Sequence, residues 1–241
     1  MIILDGLGDR SCAELDGRTP LEAAFTPNLD EMAREGLLGM VDPLLPGVPV
    51  GTHTGTGVLM GLAPLDAGRL ARGPVEAAGI GLDLHPGEVV LRCNFATLRE
   101  DGAGLAIQNR RAGRILEGTA ELAAELRDQP LGDGITGDLY PATQHRAVLR
   151  LRGAGLSAGF TDTDPGSGLE GRGVQLARAR DGRDQSAVRT ADAVNCFVRE
   201  AYQRLVSHPV NLRREAEGLL SASGILTRSA GECAQLRNLV T

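Results

Sequence analysis

Glycine sets the first constraint on what this chain can fold into. Its 241 residues include 33 glycines, about twice the usual ~7% share, and they fall in turns between short apolar runs. A chain punctuated in this way makes many sharp connections, which favours layers of short elements over long helices. Charged residues at 23% and hydrophobic residues at 42% stand near globular averages, and a chain this long buries roughly 70–75% of its unfolded surface. No apolar run approaches the ~20 residues of a membrane helix. Neither disorder nor a membrane partner is expected.

The charge pattern narrows the chemistry. Lys and Arg together number 25 against 31 acids, a net charge of −6, and every one of those cations is arginine. Without lysine there is no Schiff base and no Walker-type phosphate lysine, so a phosphate must be held by arginine, backbone amides or metal. With no Trp and 2% aromatics there is little to stack bases on, and nucleic acid is not expected as a partner. Cys12, Cys93, Cys196 and Cys233 are far apart, with no Cys-x-x-Cys pair and no secretory leader before them. That usage points to a reducing cytoplasm, each thiol serving as a small buried hydrophobe.

Read along the chain, Met1–Leu4 is an apolar run that ends at Asp5-Gly6-Leu7-Gly8-Asp9, a buried strand delivering a carboxylate to a glycine-rich loop. Thr26-Pro27 opens a helix that Gly36 closes, and Leu37–Val41 reads as a second strand stopped by Pro43. Val50-Gly51-Thr52-His53-Thr54-Gly55 then forms a hydroxyl-rich turn at a helix start. Strand, helix, strand and turn together begin an α/β layer fold. From about residue 67 the texture changes. Glu88–Leu98 and Gly104–Asn109 flank Asp101-Gly102 as a hairpin, a helix follows at Leu116–Asp128, and His145–Arg152 alternates like a half-wet strand. Residues 161–189 read as a polar loop, Thr190 as the start of the clearest helix, the chain after Pro209 as polar, and Gly224–Thr227 as a last short strand. Ligands of open α/β sheets gather at the carboxyl ends of strands, which makes Asp5 and the Thr52 turn candidate halves of one site. As a plain reading, Asp5 caps a turn and Thr52 and Thr54 cap a helix.

Several blocks carry a resemblance. Asp5-Gly6-Leu7-Gly8-Asp9-Arg10, Leu15-Asp16-Gly17-Arg18-Thr19-Pro20-Leu21-Glu22-Ala23-Ala24 and Thr26-Pro27-Asn28-Leu29-Asp30 resemble the amino-terminal signature of the archaeal-type, cofactor-independent phosphoglycerate mutases of the alkaline phosphatase superfamily. The likeness continues in order through Pro46-Gly47-Val48, Arg72-Gly73-Pro74-Val75-Glu76-Ala77, Arg92-Cys93-Asn94-Phe95-Ala96-Thr97, Asn109-Arg110-Arg111-Ala112-Gly113-Arg114, Thr161-Asp162-Thr163-Asp164-Pro165 and His208-Pro209-Val210-Asn211. It covers nearly the whole chain.

The resemblance implies an α/β alkaline-phosphatase-like core with an inserted α+β substrate domain. The chain divides on this view into residues 1–66 with the metal and nucleophile, 67–222 as the inserted domain, and 223–241 as the start of the return. It implies exchange of 3-phosphoglycerate and 2-phosphoglycerate through a phospho-enzyme, with no bisphosphoglycerate and no nucleotide. Two divalent ions, manganese typically and magnesium, cobalt or zinc otherwise, would activate the hydroxyl. Asp5 matches the first metal ligand. Thr52 stands at the position of the serine nucleophile, which also touches metal. Arg111 is the first candidate for gripping substrate, with Arg114 and Arg110 behind it, and His145, Asp162 and Asp164 fall where such enzymes keep proton-transfer and orienting groups. The turn departs from the family's usual Gly-Ser-Asp-Thr-Ala-His by reading Gly51-Thr52-His53-Thr54-Gly55-Thr56, which replaces the acidic and histidine positions. The family's later Asp and His ligands have no counterpart before Thr241. The chain is therefore expected to be an amino-terminal fragment, inactive alone, with a shortened relative as the alternative. A phosphoester or phosphonate hydrolase on the same scaffold and a non-catalytic binding protein remain competing functions.

Overall fold

In a computed structural model the described residues are 2–4, 6–102, 104–166, 168 and 171–232. They fall into two compact units, Met1–Gly68 and Arg69–Thr241. No helix among them is long and apolar enough to cross a membrane.

The first unit is helical, with α1 at Pro20–Ala23, α2 at Pro27–Glu35, α3 at Thr52–Leu59 and α4 at Pro64–Gly68. Local chemistry explains the starts. The Thr19 hydroxyl accepts from the Glu22 N–H while the Glu22 carboxylate accepts from the Thr19 N–H, a reciprocal cap, and Pro27 supplies the first residue of α2. The strands expected at Met1–Leu4 and Leu37–Val41 do not form: Ile2–Leu4 and Leu37–Val41 are unpaired. An apolar run becomes a strand only when a neighbour satisfies its backbone, and the described residues of this unit offer none. Their side chains stay exposed, with Leu37 and Met40 fully so.

The second unit carries α5 (Arg72–Gly79), β1 (Val89–Asp101), β2 (Gly104–Asn109), α6 (Thr119–Ala124), β3 (Gln129–Pro130), β4 (Thr136–Pro141), β5 (Arg146–Arg152), α7 (Gln185–Leu205), α8 (Pro209–Ala216) and β6 (Gly224–Glu232). All pairings are antiparallel. The order runs β2, β1, β5, β4, β3, with β6 also on β1. Val89–Asn94 of β1 is thus flanked by β5 and β6, while Thr97–Asp101 pairs with β2. This architecture of helices with an antiparallel sheet is mixed α/β in the broad sense.

Alternation along β1 divides the sheet into two faces. Val89, Leu91, Cys93 and Phe95 join Leu149, Leu151 and Ile225 against Val194, Phe197 and Ala201 of α7 and Leu122 of α6. Each large side chain buried there contributes about 1.5–3 kcal/mol. On the other face Val90 and Val148 pack with Ala77 of α5, and Arg92 and Asn94 follow in the same alternation.

Three expectations change in this unit. The long helix begins at Gln185, not Thr190, because the Asp184 carboxylate caps it by accepting from the Ala187 N–H; Thr190 lies inside, donating to the Ser186 carbonyl. A helix, α8, follows Pro209 with His208 as its cap, Nδ1 accepting from the Val210 N–H. The last strand runs to Glu232 and pairs with the earlier β1, so residues 224–232 sit in the second unit's sheet and need no later partner. Of the thiols, Cys93 is buried, Cys12 and Cys196 are half-buried, and Cys233 lies outside the described residues.

Candidate anion site

Sheet register brings arginines from distant segments to one place. Arg92 of β1 pairs with Arg228 of β6, and Asn94 pairs with Arg146 of β5 and Leu226 of β6. Arg92 is buried, with its Nε 3.0 Å from Glu76 Oε1 of α5, an ion pair too poorly aligned to count as a hydrogen bond. Burial lowers the Arg92 guanidinium to about 10 against the opposing pull of Glu76, and Arg72, Arg146 and Arg228 lower it further. It remains a cation at neutral pH.

Arg110 leaves the end of β2 and meets Asp164 in a two-pronged pair, Nε to Oδ1 and Nη2 to Oδ2, both at 2.6 Å. Both side chains are almost fully buried, and Arg228 Nη1 stands 3.9 Å from the same carboxylate. Asp162 accepts from the Ser229 N–H at 2.7 Å. Burial raises its carboxyl, a shift opposed by that hydrogen bond and by Arg228 and Arg180. The two acids thus fix arginines and backbone around β6. Arg110 is engaged by Asp164, which makes it a supporting group more than a free grip on substrate.

His145 immediately precedes β5, its carbonyl accepting from the Phe95 N–H at 2.8 Å. Burial lowers its imidazole to about 4, and Arg111, Arg146, Arg92 and Arg114 push the same way, so the ring is neutral at pH 7. Arg111 and Arg114 are exposed and share a turn in which Ala112 and Arg114 take left-handed backbone, φ 45° and 59°. Each such non-glycine residue costs about 1–2 kcal/mol, and strain of this kind collects where a site dictates geometry.

Three buried atoms around this register, Asn94 Oδ1, His145 Nδ1 and Arg228 Nε, have no hydrogen-bond partner among the described residues. A buried polar atom left so costs about 1–3 kcal/mol. Together with the surrounding guanidiniums they suit a small, multiply charged anion that also presents hydroxyl donors.

The structure pairs Arg110 with Asp164 and sets Asp162 against the Ser229 amide, while the charges of Arg111 and Arg114 bear on His145. The sequence reading overlooked Arg92, Asn94, Arg146 and Arg228. A signal was there: Val90, Arg92 and Asn94 share one face of an otherwise apolar strand, where buried polar side chains call for partners.

Thr52 belongs to the first unit. It is the first residue of α3, exposed, behind a Gly51 cap whose position leaves no side chain on the first amides. A Cβ on Gly51 would stand 2.7 Å from the His53 ring, so glycine is required for that packing. Asp5 lies outside the described residues. Among the described residues no group of three or more His, Cys, Asp or Glu side chains is placed to hold a metal. They do not fit the pair of divalent ions that the resemblance implies.

An antiparallel sheet that sets arginines side by side near a neutral histidine has chemistry suited to anions. Comparison with known proteins narrows this class. The model of the family described as 2,3-bisphosphoglycerate-independent phosphoglycerate mutase matches residues 33–211, and the chain belongs to that family. It is 45% identical over 234 residues to the enzyme of that name from Methanopyrus kandleri, covering 96% of this chain and 54% of the relative. For the corresponding Methanothermobacter thermautotrophicus enzyme 1 the identity is 42% over 233 residues, covering 96% and 55%. A solved cofactor-independent phosphoglycerate mutase from Thermoplasma acidophilum aligns with a TM-score of 0.63 at 36% identity, over 98% of this chain and 60% of that one. The PH0037 protein from Pyrococcus horikoshii gives a TM-score of 0.63 at 31% identity, over 97% and 51%. The chain spans about half the length of the curated relatives it matches.

Proposed function

We propose that this chain serves interconversion of 3-phosphoglycerate and 2-phosphoglycerate, without bisphosphoglycerate or nucleotide. The observation that carries the reading is the pairing of β1 with β5 and β6, which sets Arg92, Arg146 and Arg228 beside Asn94, whose Oδ1 is buried without a hydrogen-bond partner among the described residues. Phosphoglycerate has a phosphate, a carboxylate and a hydroxyl, which match guanidinium forks and a neutral polar pair. On this reading Thr52 is the nucleophile of an alkaline-phosphatase-like part, residues 1–66, and residues 67–222 are an inserted substrate-binding domain. The proposed setting is the cytoplasm, with Cys12, Cys93 and Cys196 as free thiols.

Thr52 Oγ1 attacks phosphorus, its proton leaves, and the bond from phosphorus to the departing 3-oxygen breaks as that oxygen gains a proton. Glycerate reorients, its 2-hydroxyl attacks phosphothreonine, and the same exchange in reverse restores Thr52. The first amides of α3, left without a side-chain cap, would stabilise negative charge developing at Thr52. Arg111 and Arg114 hold the anionic groups, and neutral His145 accepts a hydrogen bond without adding charge.

The test uses protein that contains these residues and spans the full length of the relatives. Rapid acid quench with 3-phosphoglycerate should place phosphate on Thr52, and Thr52→Ala should lose at least about 10³-fold in turnover, as for loss of a nucleophile. Full turnover in that variant would remove Thr52 from the role. Release of inorganic phosphate in place of 2-phosphoglycerate would make the enzyme a hydrolase.

A further inference from the structure

Asn109 ends β2 and is half-buried. Its Oδ1 accepts from the Arg111 N–H at 3.0 Å and from the Gly113 N–H at 3.1 Å. The residues it spans enter a run of left-handed backbone, with φ 45° at Ala112, 62° at Gly113 and 59° at Arg114. Glycine adopts that region freely; alanine and arginine must be held there. Arg214 of α8 adds a second hold, Nη2 donating to the Ala112 carbonyl at 3.4 Å and Nε to the Leu220 carbonyl at 3.0 Å. The turn sends successive arginines apart. Arg110 goes inward to Asp164, while Arg111 and Arg114 act on His145.

We propose that Asn109 is a positioning residue: by accepting from two amides it holds the Arg111–Arg114 turn in left-handed backbone and so sets where these two guanidiniums stand. Its link to ligand binding rests on the anion-site reading above. Asn109 itself touches no ligand. An asparagine suits the task because a short amide oxygen reaches amides two and four residues on, as in other Asx turns, and it adds no charge to a site that must attract anions.

The experiment uses the 241-residue chain. Asn109→Leu removes the acceptor at similar volume, and Ala112→Gly relaxes the backbone demand. NMR titration follows the His145 ring, which the cations of Arg111, Arg146, Arg92 and Arg114 face, and inorganic phosphate serves as the anion probe. Asn109→Leu should move the ring upward from about 4, burial still holding it below the ordinary value, and should weaken phosphate binding about tenfold. Adding Ala112→Gly to that variant should restore part of both, because glycine takes one of the two strained positions without being held. An Asn109→Leu chain with an unchanged His145 titration would overturn the inference, as would failure of glycine to restore either readout. Should Asn109→Leu alone not fold, the double variant is read against wild type, and loss of both readouts in it counts against the proposal. A moved His145 in a chain that binds no phosphate keeps the positioning role and removes the anion-site reading.

Discussion

At His145 burial and four arginines act in one direction, and the consequence is a definite dependence of stability on pH. An unfolded imidazole takes its proton near 6.5, whereas the native ring resists until about 4. Between these values the unfolded chain binds a proton that the native chain refuses, so stability falls as pH drops through that window. Above about 6.5 the contribution is fully present, and below about 4 it is flat. His145→Gln has no ring to titrate, and the difference between its urea midpoints and those of wild type should change from pH 7 to pH 4.5 and stay constant above pH 7. A constant difference throughout would show the ring is not the source. Asp162 and Asp164 stood in a family block, and His145 was singled out only by its position in the resemblance. Arg92 and Asn94 stood in a family block too, but their grouping with Arg146 and Arg228 was not legible, because only the β1 pairing with β5 and β6 brings them together, and pairing between distant strands leaves no local mark.

Elements were readable where their ends carry their own chemistry. Asp101-Gly102 between two apolar runs marks the β1–β2 hairpin, and one apolar face marks α7. Misreadings arose where a cap lay upstream in an apparent loop, as Asp184 does, or where the partner strand decides, as at Leu37–Val41. Gly73 shows how an element serves the site. A Cβ there would stand 2.1 Å from the Val90 carbonyl oxygen and 2.7 Å from its carbon. These are backbone atoms of a central strand and cannot yield, so Gly73→Ala must lift α5. Overpacking of this kind costs about 1–3 kcal/mol or somewhat more. Because α5 also carries Glu76, the partner of Arg92, the variant should lose affinity for phosphate as well as stability. Gly79→Ala, at a site with nothing within 4 Å of the added carbon, is the control and should leave both within about 0.5 kcal/mol of wild type. Equal behaviour of the two variants in urea melts and phosphate titrations would show that close packing of α5 on β1 does not matter.

Across the whole molecule the two units differ in what they bury. The second has a continuous apolar core between its sheet, α6 and α7. Among the described residues of the first, the buried ones are Thr54, Gly55 and Ala67, while Phe25, Leu38 and Met40 stand exposed. Burial of apolar surface is the main force opposing chain entropy, so residues 2–68 of this 241-residue chain should open at far lower free energy than the β1–β5–β6 centre. This contrast was only partly legible: the apolar runs Met1–Leu4 and Leu37–Val41 look like core in sequence, and whether such a run is buried depends on what packs over it. Local opening sets amide exchange. At neutral pH the amides of α2 and α3 should exchange within minutes, and those of Val90–Phe95 and Val194–Ala201 at least 10³-fold more slowly, a gap of about 4 kcal/mol in opening free energy. Phosphate should slow exchange around Asn109–Arg114 and Arg228 and leave α2 and α3 unchanged, since the anion site lies in the second unit. Comparable protection in both units would contradict the burial argument, and phosphate protection confined to α3 would move the anion site to the Thr52 helix.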